Sequence, residues 1–210
     1  MIKLLIADDH TIVREGLKQI LADTPDIAVV GEASSGQEII KRVGAIDYDL
    51  ILLDISLPGM SGLDVLKQIR LLKPSLPILI LSMYPEEQYA IRALRAGASG
   101  YLTKESASEE LINAIRKVAR GRKYITASLA EKIAFDWDKE ERRPLHDTLS
   151  DREYQVFCMI ASGKTVNEVS KLLSLSIKTI STHRARILKK MSMKNNAQLT
   201  HYAIKHNLVE

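Results

Sequence analysis

The feature that most restricts the fold of this chain is a short, uninterrupted apolar run that ends at a carboxylate. Leu50 to Leu53 are all apolar, and Asp54 follows them directly. Apolar side chains on both faces are typical of a central strand in a sheet that is covered on both sides. Pro58 and Gly59 then force a turn, after which the apolar spacing over residues 63–69 predicts a helix. Asp54 is therefore predicted at the carboxyl end of a buried strand, where open parallel sheets place their ligand sites.

Further short apolar runs share this character, and helical patterns separate them. One helix face is marked by the i, i+4, i+7 spacing of Val13, Leu17 and Ile20. Strands that alternate with helices at such distances predict crossover connections and a parallel sheet. We therefore predict a five-stranded, doubly wound α/β domain of the flavodoxin-like type over residues 1–121. Its other strands are predicted at Lys3 to Ala7, Ile27 to Gly31, Pro77 to Leu81 and Gly100 to Leu102.

Charge and cysteine content separate the two halves of the chain and indicate the compartment. Residues 1–120 carry 14 Lys and Arg against 16 Asp and Glu, whereas residues 145–210 carry 10 against 5. An acidic first half and a basic second half suggest that only the second half meets a polyanion. Cys158 is the single cysteine, and no apolar run approaches the length of a membrane span. We therefore expect a cytoplasmic protein without a membrane partner.

Polar residues follow the predicted strands at one rim of the sheet. Asp8 and Asp9 follow the first strand, Asp54 the third and Ser82 the fourth, and Lys104 lies just past the fifth. In a doubly wound sheet the first and third strands are neighbours, so the three carboxylates should converge. Carboxylates that close raise one another's pKa unless a cation neutralises them. A hard divalent ion with oxygen ligands, Mg²⁺, is the predicted partner.

These five positions, in this order and at these strand ends, resemble the receiver domain of bacterial response regulators. The resemblance implies that Asp54 accepts a phosphoryl group from a cognate sensor histidine kinase. It implies that Asp9 binds Mg²⁺ directly and that Asp8 assists through a water molecule. It also implies that Ser82 and Lys104 contact the phosphoryl oxygens. This agrees with the chemistry, because a carboxylate can be the nucleophile of phosphoryl transfer while a metal ion and a lysine offset the charge.

The same resemblance assigns three secondary roles. Asp54 itself and the backbone carbonyl of Ser56 complete the metal site. Tyr101 matches the switch aromatic that moves when Ser82 swings towards the phosphate. A half-buried strand tyrosine is the alternative interpretation of Tyr101.

The acceptor aspartate has a rival interpretation in hydrolytic enzymes. A haloacid-dehalogenase-type phosphatase also uses an aspartate at a strand end, but it needs a second aspartate two residues later as a general acid. Ser56 occupies that position. We therefore expect no enzyme beyond self-catalysed phosphoryl transfer to Asp54 and its autodephosphorylation.

A connector is predicted between the halves, over residues 122–147. Ala127 to Ala134 could form a short helix within it. A charged run over residues 136–144 follows and ends in proline, which is typical of a solvated linker.

Residues 148–210 show helical patterns only, and they predict a smaller all-α domain. Ser150 and Glu153 form a capping box for its first helix. Thr165 caps a second helix, and Ser176 caps a third that runs to about Met191. A short helix, a tight turn and a longer helix in a basic domain predict a helix-turn-helix, whose later helix enters the DNA major groove.

The helical periodicity of that third helix separates a core stripe from a groove face. Ile180, Ile187 and Met191 fall on one side with Leu188 and are predicted to be buried. The opposite side is cationic or small, as a groove requires, and can contact phosphates, guanine edges and thymine methyl groups. The predicted DNA-contacting residues are Lys178, Ser181, Thr182, Ala185, Arg186 and Lys189.

Several short segments of this half resemble the LuxR-type DNA-binding domain. They are Leu149 to Glu153, Ile160 to Gly163, and Ser176 to His183. With the receiver-like half, they identify the chain as a member of the NarL/FixJ family of response regulators. Family members often carry lysine where Ala185 stands, so base contacts cannot be transferred from close relatives.

The resemblance also implies dimerisation through the last helix, whose apolar face carries three residues. Leu199, Tyr202 and Ala203 share that face, and from sequence alone it could equally be core. The implied partners are the kinase, promoter DNA, a second copy when phosphorylated, and RNA polymerase.

The sequence thus predicts a two-component transcription regulator that phosphorylation of Asp54 activates. One alternative is an atypical regulator that binds DNA regardless of phosphorylation, with the receiver as a protein-interaction module. A second is a small-molecule-sensing LuxR-type regulator, against which the acidic pocket argues.

Overall fold

The computed structural model of the chain describes residues 1–106, 108–137 and 144–209. Residues 138–143, in the charged run of the predicted connector, lie outside the described residues. The chain divides into two compact units, Met1–Ala130 and Glu131–Glu210.

The first unit alternates strands with helices, as predicted. Its strands are β1 (Ile2–Ala7), β2 (Ile27–Ala33), β3 (Leu50–Leu53), β4 (Ile78–Ser82) and β5 (Gly100–Thr103). Its helices are α1 (Thr11–Ala22), α2 (Gly36–Ala45), α3 (Gly62–Leu72), α4 (Glu86–Arg95) and α5 (Ser108–Ala119). The next helix, α6 (Ala127–Trp137), falls within the predicted connector and crosses into the second unit.

All the strand pairings are parallel, in the order β2-β1-β3-β4-β5, which confirms the doubly wound fold. In the β1–β3 ladder Ala7 pairs with Leu53. The residues that follow them, Asp8 and Asp54, therefore leave the sheet side by side.

The predicted central strand β3 is completely buried, because helices cover both faces of the sheet. Successive side chains of a strand point to opposite faces, so Leu50 and Leu52 join one core. That core also takes in α1 through Leu17 and α5 through Ile115.

The second unit is helical in its described part. After a 3-10 helix (Leu145–Thr148) it contains α7 (Asp151–Ala161), α8 (Val166–Leu172), α9 (Ile177–Lys190) and α10 (Asn196–Lys205). The Ser150–Glu153 capping box opens α7, as predicted, and Thr165 with Glu168 forms another at α8. These caps set where α7 and α8 begin.

No helix in the described ranges is long and apolar enough to span a membrane.

Candidate functional site

Asp54 lies at the carboxyl end of β3, where hydrogen bonds hold both its backbone amide and its carboxylate. Its amide donates to the carbonyl of Ala7 at 2.9 Å, which continues the β1–β3 ladder by one residue. Its carboxylate Oδ1 accepts from the amide of Ser56 at 3.1 Å. The residue is only 3% exposed. One carboxylate oxygen is thus fixed by the turn, and the other, Oδ2, faces a neighbouring cation.

That cation is the ammonium group of Lys104, which links two of the predicted acids. Its Nζ lies 2.8 Å from Asp54 Oδ2 and 2.5 Å from Asp8 Oδ2. The backbone amide of Lys104 donates to the carbonyl of Ser82 at 2.7 Å, so the ends of β4 and β5 fix where the lysine starts. Burial alone lowers the pKa of Lys104, but the charges of Asp54 and Asp8 outweigh it and the pKa is raised. Lys104 is therefore a permanent cation in this pocket.

Asp54 responds to the same surroundings in a different way. Burial raises the pKa of its carboxyl, the ammonium of Lys104 opposes that rise, and the nearby charge of Asp8 adds to it. The net shift is upwards, so the ionised carboxylate is less stable here than in water. A cation that joined the pocket would offset this penalty.

The third acid, Asp9, completes an acidic cluster with Asp8, Asp54 and His10. One potential ligand atom from each lies within 4.8 Å of the others. The Oδ1 atom of Asp9 is buried, and it has no hydrogen-bond partner among the described residues. His10 Nδ1 lies 2.9 Å from this atom, without the geometry of a hydrogen bond. A buried carboxylate oxygen without a donor, among other hard oxygen ligands, fits a divalent cation.

The ends of β4 and β5 meet through the loop that follows β4. Ser82 and Tyr101 are both completely buried. The phenol of Tyr101 donates to the carbonyl of Tyr84 at 2.7 Å, and the amide of Tyr84 donates to the hydroxyl of Ser82 at 3.2 Å. Burial raises the pKa of Tyr101, and a hydrogen bond with Ser82 partly offsets that rise. Tyr101 is therefore fully buried on β5, and not half-buried as the alternative interpretation expected.

The loop after Asp54 approaches the site so closely that it needs glycine. The amide of Gly62 donates to the carbonyl of Ile55 at 2.9 Å. A Cβ atom at Gly62 would lie 2.1 Å from the backbone oxygen of Asp54, which no relaxed structure allows. Gly62, the first residue of α3, is therefore packed directly against the backbone of Asp54 at the end of β3.

A second candidate site is the outer face of α9. The side chain of Ser176 accepts from the amide of Thr179 at 3.0 Å and caps this helix. Of the stripe predicted to be buried, Ile180, Ile187 and Met191 are buried, whereas Leu188 is only half-buried. All the predicted groove residues are exposed: Lys178, Ser181, Thr182, Ala185, Arg186 and Lys189. The face is thus cationic and accessible, as contact with a polyanion requires.

The last helix corrects one expectation. Leu199 and Ala203, predicted from the family resemblance to dimerise, are completely buried. Helix α10 packs on α7, and Tyr202 from the same face holds the ring of His146, with Oη 3.0 Å from Nδ1. The core interpretation of this face is therefore the one that the structure supports, because buried side chains cannot meet a second copy.

Comparison with known proteins gives a consistent result for each half of the chain. Residues 4–116 match the response regulator receiver domain, and residues 147–203 match the luxR family of bacterial regulatory proteins. The response regulator UvrY of Escherichia coli K12 is 38% identical over 209 residues, which cover 99% of this chain and 96% of that protein. The response regulator GacA of Pseudomonas aeruginosa PAO1 is 35% identical over 211 residues, with 100% and 99% covered.

Solved structures are similar to this chain, in one case along nearly its whole length and in another along about two thirds of it. RcsB from Salmonella enterica serovar Typhimurium, bound to promoter rprA in the presence of phosphomimetic BeF₃⁻, has a TM-score of 0.66 and 29% identity. The alignment covers 96% of this chain and 97% of that one. A LuxR-family two-component response regulator from Aurantimonas sp. SI85-9A1 has a TM-score of 0.60 and 34% identity, covering 65% and 97%.

We expect Gly62→Ala to lower the free energy of unfolding by about 1–3 kcal/mol, because the added methyl group must displace the backbone at Asp54. Gly44→Ala is the matched control. Nothing lies within 4 Å of its added Cβ, and it lies in α2, where alanine is favoured over glycine by roughly 0.5–1 kcal/mol. Urea unfolding of both variants measures the difference. Equal unfolding midpoints for Gly62→Ala and wild type would contradict the close approach.

Proposed function

Because the chain belongs to the two-component response regulators of the NarL/FixJ family, we propose that phosphoryl transfer to Asp54 controls its binding to DNA. The receiver comprises residues 1–121, the connector 122–147 and the DNA-binding domain 148–210. The observation that carries the proposal is the placement of Asp54, buried at a strand end with its carboxylate Oδ2 2.8 Å from the ammonium of Lys104.

Asp54 acts as the nucleophile. One carboxylate oxygen forms a bond to the phosphorus of a phosphohistidine, the P–N bond breaks, and its electrons return to the imidazole of the sensor histidine kinase. The negative charge on the transferring group is offset by Lys104, whose ammonium already faces Asp54. The hydroxyl of Ser82 donates to the new phosphoryl oxygens. The chain itself is the acceptor and turns over no other substrate.

The acidic cluster supplies the ligands for Mg²⁺. Asp9 would bind it directly, Asp8 would assist through water, and Asp54 and the backbone carbonyl of Ser56 would complete the set. The orphaned Oδ1 of Asp9 supports this assignment. When bound, the ion neutralises charge on the transferring phosphoryl group.

Phosphorylation adds up to about one further negative charge and strong acceptor oxygens next to Lys104 and Ser82. As Ser82 turns towards the phosphoryl group, its hydroxyl leaves the amide of Tyr84. The carbonyl of the same residue accepts from the phenol of Tyr101. The loop between β4 and α4 and the end of β5 therefore shift together, as a bias on an existing equilibrium.

The start of the connector is attached to these same moving elements. The amide of Tyr124 donates to the carbonyl of Ser99 at 2.8 Å, beside β5. The hydroxyl of Thr126 donates to Glu86, in the first turn of α4, at 2.7 Å. The same oxygen accepts from the amide of Leu129 at 3.2 Å and so caps α6. A shift of α4 is thereby passed to the helix that leads towards the DNA-binding domain.

The DNA-binding domain reads double-stranded promoter DNA with the exposed face of α9. Its lysines and Arg186 contact phosphates or guanine edges, and Thr182 and Ala185 contact thymine methyl groups. A phosphorylated homodimer would place two copies of α9 in half-sites one helical turn, or a multiple of it, apart. The RcsB neighbour bound to promoter DNA supports this mode. We place the protein in the cytoplasm, with RNA polymerase as a further partner.

We expect wild-type protein incubated with acetyl phosphate and Mg²⁺ to gain one phosphoryl adduct by intact mass, and Asp54→Asn to gain none. The asparagine oxygen can still accept from the Ser56 amide, so the fold should persist. Asp23→Asn, an exposed acid after α1, is the control and should be labelled like wild type. Phosphoryl labelling of Asp54→Asn would contradict the assignment of Asp54 as the phosphoryl acceptor. An unlabelled wild type that binds DNA would favour the phosphorylation-independent regulator.

We expect Thr126→Val, which removes one hydroxyl, to leave phosphoryl uptake unchanged but to reduce its effect on DNA affinity. The ratio of affinities with and without the phosphoryl group should shrink roughly two- to tenfold, the worth of about one hydrogen bond. Thr126→Ser keeps the hydroxyl and should behave as wild type. Fluorescence anisotropy on labelled DNA measures the ratio. An unchanged ratio in Thr126→Val would rule out this route from α4 to α6.

We expect Lys178→Ala and Lys189→Ala each to weaken DNA binding and to flatten its salt dependence. Each lost phosphate contact should reduce the slope of log affinity against log salt concentration by about 0.9. Lys41→Ala, an equal charge change at an exposed position of α2, should leave the slope unchanged. A salt titration of wild-type slope for both α9 variants would mean that another surface meets the DNA.

A further inference from the structure

Arg14, in the second turn of α1, joins the loop of the acidic cluster to the neighbouring strand β2. Its Nη1 donates to the backbone carbonyl of Asp8 at 2.8 Å, and its Nε donates to Glu32 at 3.0 Å. It also donates to the hydroxyl of Thr11 at 3.2 Å. The side chain is only 14% exposed, so these are sheltered contacts. One guanidinium group therefore fixes the carbonyl of the peptide that connects Asp8 to Asp9.

The partner of Arg14 is itself held in place. Glu32 accepts from Lys18 at 2.8 Å, and it lies on β2 beside Ala33, whose carbonyl accepts from the Asp8 amide at 3.1 Å. The hydrogen bonds from Lys18 and Arg14 lower the pKa of Glu32 against the opposing effect of burial, so its charge persists. The backbone amide of Asp8 is consequently hydrogen-bonded to β2 directly. Its backbone carbonyl is linked to β2 through Arg14 and Glu32.

These backbone contacts affect the orientation of the Asp9 side chain more than that of the other acids in the cluster. Asp54 Oδ1 is oriented by the Ser56 amide, and Asp8 Oδ1 by the His10 amide at 2.8 Å. Asp9 Oδ1, by contrast, has no hydrogen-bond partner in the described part of the chain. Apart from the contact of Asp9 Oδ1 with His10 Nδ1 at 2.9 Å, the direction of the Asp9 side chain is therefore set by its backbone, and the peptide plane before it is the one that Arg14 holds.

We infer that Arg14, anchored by Glu32, is a positioning residue for the divalent-cation site, and that it keeps the Asp9 carboxylate aimed into the acidic cluster. This inference rests on the proposed function, because it assumes that the cluster binds a cation. Groups that orient metal ligands without touching the metal typically contribute tenfold or more to affinity.

The direction in which the cation affinity changes on removal of Arg14 distinguishes a positioning role from a purely electrostatic one. Arg14 carries a positive charge close to the cluster, and like charges repel. Removing it would by Coulomb's law alone tighten the binding of a divalent cation. If Arg14 positions Asp9, its removal weakens binding instead.

The test compares the binding of Mn²⁺, as a spectroscopic substitute for Mg²⁺, to full-length variants by electron paramagnetic resonance of the free ion. We expect Arg14→Met, which keeps apolar bulk without charge or donors, to bind roughly tenfold more weakly than wild type. We expect the Mn²⁺ affinity of Arg14→Lys to lie between those of Arg14→Met and wild type. Lysine keeps the charge, but it lacks the planar guanidinium group that donates to both partners at once. Arg42→Met is the matched control. It breaks an arginine–glutamate pair of similar geometry on α2, with Glu38 at 2.9 Å, and should bind as wild type.

The outcomes separate the inference from the proposed function. Equal or tighter binding by Arg14→Met, with wild type binding normally, would overturn the role of Arg14 and leave the phosphoacceptor intact. If Arg14→Met does not fold by circular dichroism, Arg14→Lys decides, and wild-type affinity in that variant would overturn the inference. A wild type that neither binds Mn²⁺ nor takes up phosphoryl would contradict the proposed function itself.

A purely structural role predicts a different pattern of phosphorylation. If Arg14 positions Asp9, phosphoryl uptake from acetyl phosphate in Arg14→Met is slow at low Mg²⁺ and recovers as Mg²⁺ is raised. Where circular dichroism shows Arg14→Met to be fully folded, a role in stability alone would leave uptake as in wild type at every Mg²⁺ concentration, and that result would overturn the inference.

Discussion

The confinement of like charges at one edge of a parallel sheet is the constraint on which the receiver depends. The register of β1 and β3 brings Asp8 and Asp54 out side by side, both almost completely buried. Lys104 lies between them and balances part of that charge. The pKa of Asp54 is raised, and Asp9 Oδ1 has no hydrogen-bond partner among the described residues, so the negative charge is only partly compensated. A site in this condition is suited to take up a cation and an anionic group together.

The same pocket is connected to the rest of the receiver by short polar contacts. On one side, Arg14 and Glu32 tie the acidic loop to β2. On the other, Ser82 and Tyr101 meet at the backbone of Tyr84, beside the helix that Thr126 holds through Glu86. Three of these contacts join different elements: Arg14 of α1 contacts Glu32 of β2, Tyr101 of β5 contacts Tyr84 in the loop after β4, and Thr126 contacts Glu86 of α4. Under the proposed function, these contacts are the route by which a change of charge at Asp54 reaches the connector.

The second unit separates its two tasks by helix face. Helix α9 buries Ile180 and Ile187 and exposes its cations, so the core contacts that hold the helix are independent of those that would meet DNA. Helix α10, in contrast, uses Leu199 and Ala203 for packing within the unit. An apolar stripe on a helix predicts that the stripe is buried, but not which surface buries it.

The sequence alone determined the strand and helix order, the rim position of Asp8, Asp54 and Lys104, the helix caps and the two faces of α9. These follow from local rules, namely side-chain periodicity, capping chemistry and the geometry of parallel crossovers. Only the tertiary structure decided that Leu199 is core, that Gly62 must be glycine, and that Arg14 and Thr126 hold Asp8 and Glu86. Those pairs depend on distances between residues from different elements. Such distances are set by packing and register, which no local pattern encodes.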